Sequence, residues 1–292
     1  MPRPTVQQLY QDLQESLGLE ALTPLPESGV PIAAQDVHRP GMAVMGYTEN
    51  FLAERIQIMG ESEMSYLATL DEADRRLAGA SLLIEDGRVA QILEPGEEAP
   101  ADQVIQAVGK LVTPGLVNTH HHFYQTLTRA VPPAQDANMF NWLKTLYPIW
   151  ARMVPEDFRI STQVGLAELA LSGCTTSSDH LYLFPNGARL DDTIGAAAEV
   201  GLRFHPTRGA MSIGESDGGL PPDALVEREA AILEDCIRVV DAFHDPAEGS
   251  MCRVGIAPCS PFSVSRELMR DAAILAREKG VMLHTHLAEN DE

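Results

Sequence analysis

Three observations predict an α/β chain whose larger part is a run of a (β/α)8 barrel. Apolar strand-like segments alternate with amphipathic helical segments through the second half, an Asp86-Gly87 pair between two apolar runs marks a hairpin ahead of them, and the sequence changes character near Ala78. The predicted order is a small α/β segment over 1–78, then a small β-layer plus an incomplete barrel over 79–292. At roughly 150 residues per domain, 292 residues leave room for about two domains. Hydrophobic residues make up 45% and charged residues 22%, the balance of a soluble protein with a core.

The elements follow in order. Val6, Leu9, Leu13 and Leu17 keep helical spacing, and Pro24, Pro26, Gly29 and Pro31 then break the chain, so a helix is expected over 5–17. Short strands and a helix suit the stretch to Leu67. Residues 81–85 and 89–93 flank the two-residue turn as hairpin strands. A buried strand is expected at 112–119, and further strands near 175–179, 203–207, 253–258 and 281–286. Amphipathic segments at about 156–171, 192–200, 223–243 and 266–279 lie between them. Such alternation implies parallel strands with right-handed crossovers. A closed barrel needs eight such units, whereas five strands are counted here, so the chain reads as a fragment carrying five of eight.

Charge narrows the function. Acidic residues outnumber basic ones 42 to 21, a formal charge of −21 that disfavours nucleic acid and anionic membranes as partners. Cys174, Cys236, Cys252 and Cys259 form no Cys-x-x-Cys pair and read as reduced thiols. No secretory leader or membrane-length apolar run is recognised, and a cytoplasmic location is expected.

The chemistry-bearing residues are Asn118-Thr119-His120-His121-His122, directly after an apolar strand. A side-chain period of two sends His120 and His122 to the same side at the strand's C-terminal end, where barrel enzymes keep their sites, and His121 away. A second pair, His284 and His286, falls on the fifth strand and is followed by Glu289. Imidazoles with a carboxylate, leaving one position open to water, are the donor set of a catalytic zinc site. The bland alternative is histidine at a strand end for packing or solubility.

These motifs, by order and strand position, resemble the amidohydrolase superfamily. The run Gly115-Leu116-Val117-Asn118-Thr119-His120-His121-His122-Phe123-Tyr124-Gln125 resembles its aminohydrolase branch, which deaminates purines, pyrimidines and triazines. Four further runs resemble the 8-oxoguanine deaminases in particular: residues 142–148, 172–176, 207–212 with 217–222, and 257–263. The resemblance covers about 80–292 and implies a TIM-like metal-dependent hydrolase barrel. It further implies that His120, His122 and His286 ligate one divalent metal ion of zinc type, and that Glu289 is the acid/base that protonates the leaving amine. Gln125 and Arg208 match substrate-binding positions; the alternatives are a loop cap for Gln125 and a barrel carboxylate partner for Arg208. The implied substrate is a small purine-like heterocycle, 8-oxoguanine giving urate and ammonia, and a homo-oligomer is compatible with the sequence. The superfamily's sixth-strand His and eighth-strand Asp fall beyond Glu292, which implies impaired hydrolysis by these residues alone. No Lys lies in 253–258 to bridge two metals, so a mononuclear site is expected.

Other histidines stay open or structural: His180 lines the pocket or merely packs, His284 is a neighbour, and His205 and His244 are structural. Trp142, Tyr147 and Trp150 cover a planar base or pack internally. Upstream, Arg39-Pro40-Gly41, Gly46-Tyr47, Glu54-Arg55-Ile56-Gln57 and Ser65-Tyr66-Leu67 resemble the N-terminal domain of the HPr kinase/phosphorylase family over about 5–77. The phosphate-cradling Gly-x-x-x-x-Gly-Lys-Ser/Thr loop of that family's second domain is missing, since Gly109-Lys110 is followed by Leu111. Competing readings are a triazine or adenosine-type deaminase and, from another class, a non-catalytic regulatory or binding protein.

Overall fold

The computed structural model describes residues 42–44, 55–60, 65–287 and 289. The helix expected over 5–17 and most of the segment resembling the kinase N-terminal domain lie outside the described residues. Contacts divide the chain into two compact units, one within Val30–Val117 plus Glu168–Thr176, the other including Asn118–Ala167 and Ser177–Glu292.

The first unit is the β-layer. Its strands are β1 (Met42–Val44), β2 (Ile56–Met59), β3 (Tyr66–Ala68), β4 (Arg76–Ala78), β5 (Ser81–Glu85), β6 (Arg88–Leu93), β7 (Gln103–Gln106) and β8 (Leu111–Thr113). They form two four-stranded sheets, β1-β8-β3-β4 and β6-β5-β2-β7. The β5–β6 hairpin turns on Asp86 (φ 48°) and Gly87 (φ 71°), the paired left-handed conformations that an Asp-Gly turn supplies. β2 pairs antiparallel with β5, Ile56 opposite Ile84, so this sheet draws on residues from both sides of Ala78. Ile56, Ile58, Leu67, Ile84, Ala107 and Val112, drawn from both sheets, form the core of the β-layer. Gln57 is buried too, because its amide donates to the Glu97 carbonyl at 3.1 Å and accepts from Ala99 N–H at 3.2 Å, leaving neither end unsatisfied. Gly60 is required where it stands: a Cβ there would lie 2.3 Å from the Ala80 carbonyl oxygen.

The second unit carries β9 (Leu116–Asn118), α1 (Met139–Trp150), α2 (Pro155–Leu171), β10 (Cys174–Leu181), α3 (Leu190–Val200), β11 (Arg203–Ala210), α4 (Glu229–Phe243), β12 (Gly255–Pro258) and α5 (Arg266–Lys279), with β9 and the ends of α2 and β10 shared with the first unit. The sheet order β12-β11-β10-β9 follows the chain, β11 and β12 are parallel with Thr207 opposite Gly255, and helices intervene, so this unit is a mixed α/β half-barrel. α5 shows why the boundaries are sharp. The Ser265 side chain accepts from Leu268 N–H at 2.9 Å, Arg277 and Lys279 lie in the last turn, and Gly280 leaves the helix in the left-handed conformation (φ 67°).

Three expectations are adjusted. The strand expected at 112–119 is two strands, β8 and β9, broken at Pro114-Gly115 because proline has no N–H for a ladder. The helix expected from 223 starts at Glu229, since Asp223 is committed elsewhere: its carboxylate accepts from the Ser216 N–H and hydroxyl at 3.1 and 3.0 Å. The fifth strand is present as a single parallel bridge, Ile256 to Leu283. Among the described residues no helix is long and apolar enough to cross a membrane.

Candidate metal centre

β9 delivers the chain into the His120–His122 turn. The Asn118 side chain is held by the Ser177 hydroxyl at 3.3 Å, and its oxygen accepts weakly from His120 N–H at 3.4 Å. His121 points away and stacks on Phe123, centroids 4.0 Å apart. On the opposite side, backbone bonds from His284 N–H to Ile256 O and from His286 N–H to Cys259 O, both 2.9 Å, place the second pair beside β12.

The ring nitrogens decide what this cluster can hold. His122 Nδ1 lies 2.6 Å from the His180 carbonyl, and His286 Nδ1 2.8 Å from the Cys259 carbonyl. A carbonyl only accepts, so each Nδ1 carries the hydrogen and each Nε2 presents a lone pair. Those two Nε2 atoms face each other at 3.1 Å. Two lone pairs at that distance call for a cation between them. A proton is disfavoured, because burial first, then the His286, His120 and His121 charges, hold His122 down to about 3 despite its carbonyl partner. His120 closes the set edge-on, its ring 4.9 Å from His122 and 5.0 Å from His286. Burial also lowers it, and its Nδ1 lies 3.2 Å from His284 Nε2. One ligand atom from each of His120, His122 and His286 falls within 4.8 Å of the others. Neutral imidazoles with backbone-fixed tautomers are what a zinc-type ion needs, so the residues fit such an ion.

Other predicted positions fall as follows. Glu289 is exposed, and its charge acts on Cys259 and Tyr147. Gln125 lies in the 3-10 turn Phe123–Thr128, its amide donating to the Tyr124 hydroxyl at 3.1 Å. Arg208 is 2% exposed and heavily engaged. It donates to both oxygens of Glu227 at 3.0 and 2.8 Å, to Asp235 at 2.7 Å and to the Gly209 carbonyl at 2.5 Å, with its guanidinium 3.9 Å over the Phe184 ring. The carboxylate-partner alternative is thus realised, and one N–H of five is left for a substrate ring. Trp150 packs internally, its indole N–H donating to Thr128 Oγ1 at 3.0 Å, and Tyr147 is buried with its hydroxyl toward Met211.

His180 is the residue that sequence reasoning left undecided. It is fully buried at the end of β10, stacked on His286 with centroids 4.5 Å apart, and neither ring nitrogen has a hydrogen-bond partner. The sequence signal was its place next to Asp179 at a strand's C-terminal end.

Residues 111–292 match the amidohydrolase family over their whole length. The chain belongs to that family. This amidohydrolase also matches the HPr serine kinase N terminus over residues 5–120, further than the 5–77 expected, so the two matches overlap across the end of the β-layer. It is 50% identical over 216 residues to the 8-oxoguanine deaminase of Pseudomonas aeruginosa, an alignment covering 73% of this chain and 48% of that protein. To the hydroxydechloroatrazine ethylaminohydrolase of a Pseudomonas species it is 37% identical, covering 77% of this chain and 50% of the relative. Among solved structures, the zinc complex of atrazine chlorohydrolase from Arthrobacter aurescens superposes with a TM-score of 0.72 at 28% identity, covering 80% of this chain and 52% of that one. The amidohydrolase described here thus spans about half the length of the curated relatives it matches.

Proposed function

We propose that this amidohydrolase takes part in metal-dependent deamination of a purine-type heterocycle, 8-oxoguanine to urate and ammonia. The observation that carries the reading is the pair of carbonyl-fixed Nε2 lone pairs of His122 and His286 opposed at 3.1 Å, with His120 beside them. A divalent ion held by His120, His122 and His286, zinc by donor type, would supply Lewis acidity and an activated water. Glu289 then protonates the departing amine nitrogen, the role its place three residues after His286 gives it in the resemblance. Gln125 presents an amide to the ring edge from the turn that follows the His-x-His run, and Arg208 contributes its one remaining N–H from the end of β11. The substrate assignment leans on the 50% identity to 8-oxoguanine deaminase. The relation to a triazine aminohydrolase at 37% identity supports a second reading, an amino- or alkylamino-triazine as substrate.

Elemental analysis of the purified chain, with His120→Ala/His122→Ala as control, tests the centre, and ammonia release from 8-oxoguanine tests the reaction. The expected result is stoichiometric metal in the wild type and its loss in the double variant. Equal metal content in both would overturn the ligand assignment, and ammonia from a hydroxytriazine but not from 8-oxoguanine would replace the first substrate with the second.

A further inference from the structure

β9 ends at Asn118, and residues 119–122 belong to no strand or helix. His122 has φ −127° and ψ 84°, neither helical nor extended, so no regular backbone pattern sets the direction of the peptide that follows it. The end of β10 sets it instead. Ser178 Oγ donates to the Thr119 carbonyl at 3.0 Å, His180 N–H donates to the His121 carbonyl at 2.7 Å, and the His180 carbonyl accepts the His122 ring N–H at 2.6 Å. Among these contacts Asp179 Oδ1 accepts from Phe123 N–H at 3.0 Å. That N–H is the first of the 3-10 turn Phe123–Thr128, where a helix offers its own donors no acceptor, and the preceding residue supplies no side-chain cap. The Ser161 hydroxyl donates to the Phe123 carbonyl, so this residue is held from both ends. Asp179 is 0% exposed, and its second oxygen has no hydrogen-bond partner among the described residues, a cost that interiors rarely carry. Burial pushes the carboxyl up to about 7, and the Phe123 N–H is what pulls it back. Thr207 Oγ1 donates to the Asp179 carbonyl at 3.0 Å, tying this point of β10 to β11. The side chain's one bond is spent on a single peptide, the one joining His122 to Phe123.

We propose that Asp179 is the positioning residue of the His122 ring: by holding the His122–Phe123 peptide it fixes the backbone torsion that keeps His122 Nδ1–H on the His180 carbonyl and the Nε2 lone pair turned toward His286. Two adjacent residues of β10 thus grip His122 from two sides, Asp179 by its peptide and His180 by its ring. The first grip sets the backbone from which the ring projects, and the second sets the ring's rotation about that backbone. Asp179 acts through the chain and not as a ligand. Its effect on an ion rests on the reading of His122 as a ligand, whereas its effect on the ring does not, so the two can fail separately. Loss of such support around a ligating imidazole weakens a metal site by roughly tenfold or more.

The test reads imidazole tautomers by long-range proton–nitrogen NMR correlation on the full 292-residue chain, dialysed against chelator, at about pH 8, where neutral imidazole is the ordinary form. His122, His286 and His244 each place Nδ1 against a carbonyl, at 2.6, 2.8 and 3.2 Å, so each gives an Nδ1–H signal, identified by its loss in the corresponding single alanine variant. In Asp179→Ala the His122 signal is expected to disappear while His286 and His244, held by other segments, keep theirs. In Asp179→Asn, whose amide oxygen still accepts from Phe123 N–H, all three are expected to remain. A residue that merely supported the fold would move the three signals together. Retention of the His122 signal in Asp179→Ala, or its loss in Asp179→Asn, would overturn the proposal. Titration with Co2+ then reads the ion: binding at least roughly tenfold weaker than wild type is expected in Asp179→Ala and within about threefold of it in Asp179→Asn, and equal affinity in all three proteins would overturn the effect on the ion. A wild type that takes up no Co2+ defeats the proposed metal centre and leaves the tautomer result to decide the role of Asp179. Asp179→Ser, whose hydroxyl is too short to reach Phe123, is read in place of Asp179→Ala where circular dichroism shows the latter unfolded.

Discussion

Replacing Glu227 by glutamine isolates the energetics of the buried guanidinium. Arg208 is 2% exposed, whereas the side chains of Glu227 and Asp235 keep 28% and 22% of their surface, so the arginine depends on its partners more than they depend on it. The substitution removes a charge that accepts two N–H bonds at 2.8 and 3.0 Å, and it points an amide N–H at an arginine N–H. Orphaning one partner of a buried pair costs about 3–5 kcal/mol. Asp235 stays in place and Glu227 is partly hydrated, which brings the expected loss to about 2–3 kcal/mol, or roughly 5–10 °C in melting temperature for a unit of this size. Calorimetry and urea titration measure it, with Arg208→Met as the comparison. That variant removes the buried charge instead of stranding it, and Asp235 retains Arg238 at 2.6 Å, so it is expected to cost less than Glu227→Gln. A loss below about 0.5 kcal/mol in Glu227→Gln would refute the argument that the buried guanidinium depends on Glu227.

Other outcomes are expected on the same grounds. Burial alone would raise the Asp235 carboxyl, but hydrogen bonds and charge from Arg208 and Arg238 outweigh it and hold it below its ordinary value of 3.8. A carboxyl depressed in the folded state stabilises above that unfolded value and loses its contribution as pH falls through the folded one, so the melting temperature should drop on acidification below about pH 4. Asp235→Asn should flatten that drop, and a thermal-shift series in pH checks it. Gly209→Ala places a Cβ 2.2 Å from the Leu181 carbonyl oxygen and 2.7 Å from Tyr182, backbone that cannot step aside; a loss of about 3 kcal/mol is expected in denaturant titration, and a neutral result would contradict the β10–β11 spacing. Trp150→Phe removes the indole bond to Thr128 Oγ1 and should cost about 1–3 kcal/mol, read by urea midpoint.

Local chemistry was readable where it is written in neighbouring residues. Asp86-Gly87 specifies its hairpin through two left-handed residues, and His120-x-His122 specifies a shared side through strand periodicity. What the sequence could not show depends on residues far along the chain. Arg208 has its carboxylates 19 and 27 positions away on other segments, and nothing in its own neighbourhood announces them. His180 looks like any strand-end histidine until β10 brings it against His286, 106 positions later by subtraction of the two residue numbers. The break at Pro114-Gly115 was spelled out, yet the apolar residues on both sides read as one strand, because pattern alone does not say where a chain changes sheets.

The short return from α5 makes the centre sensitive to parity. Gly280, Val281 and Met282 carry the chain from the helix to the Leu283 bridge, and the backbone bonds of His284 and His286 fix the phase from there. One residue inserted in that return would turn Thr285 toward the centre and both imidazoles away, erasing the chemistry with every histidine still encoded. Two inserted residues would restore the phase and bring one histidine back. Even-numbered changes in this return therefore keep an imidazole facing the centre although they displace Glu289, whereas odd ones turn both imidazoles away, a dependence on length that no substitution scan would reveal.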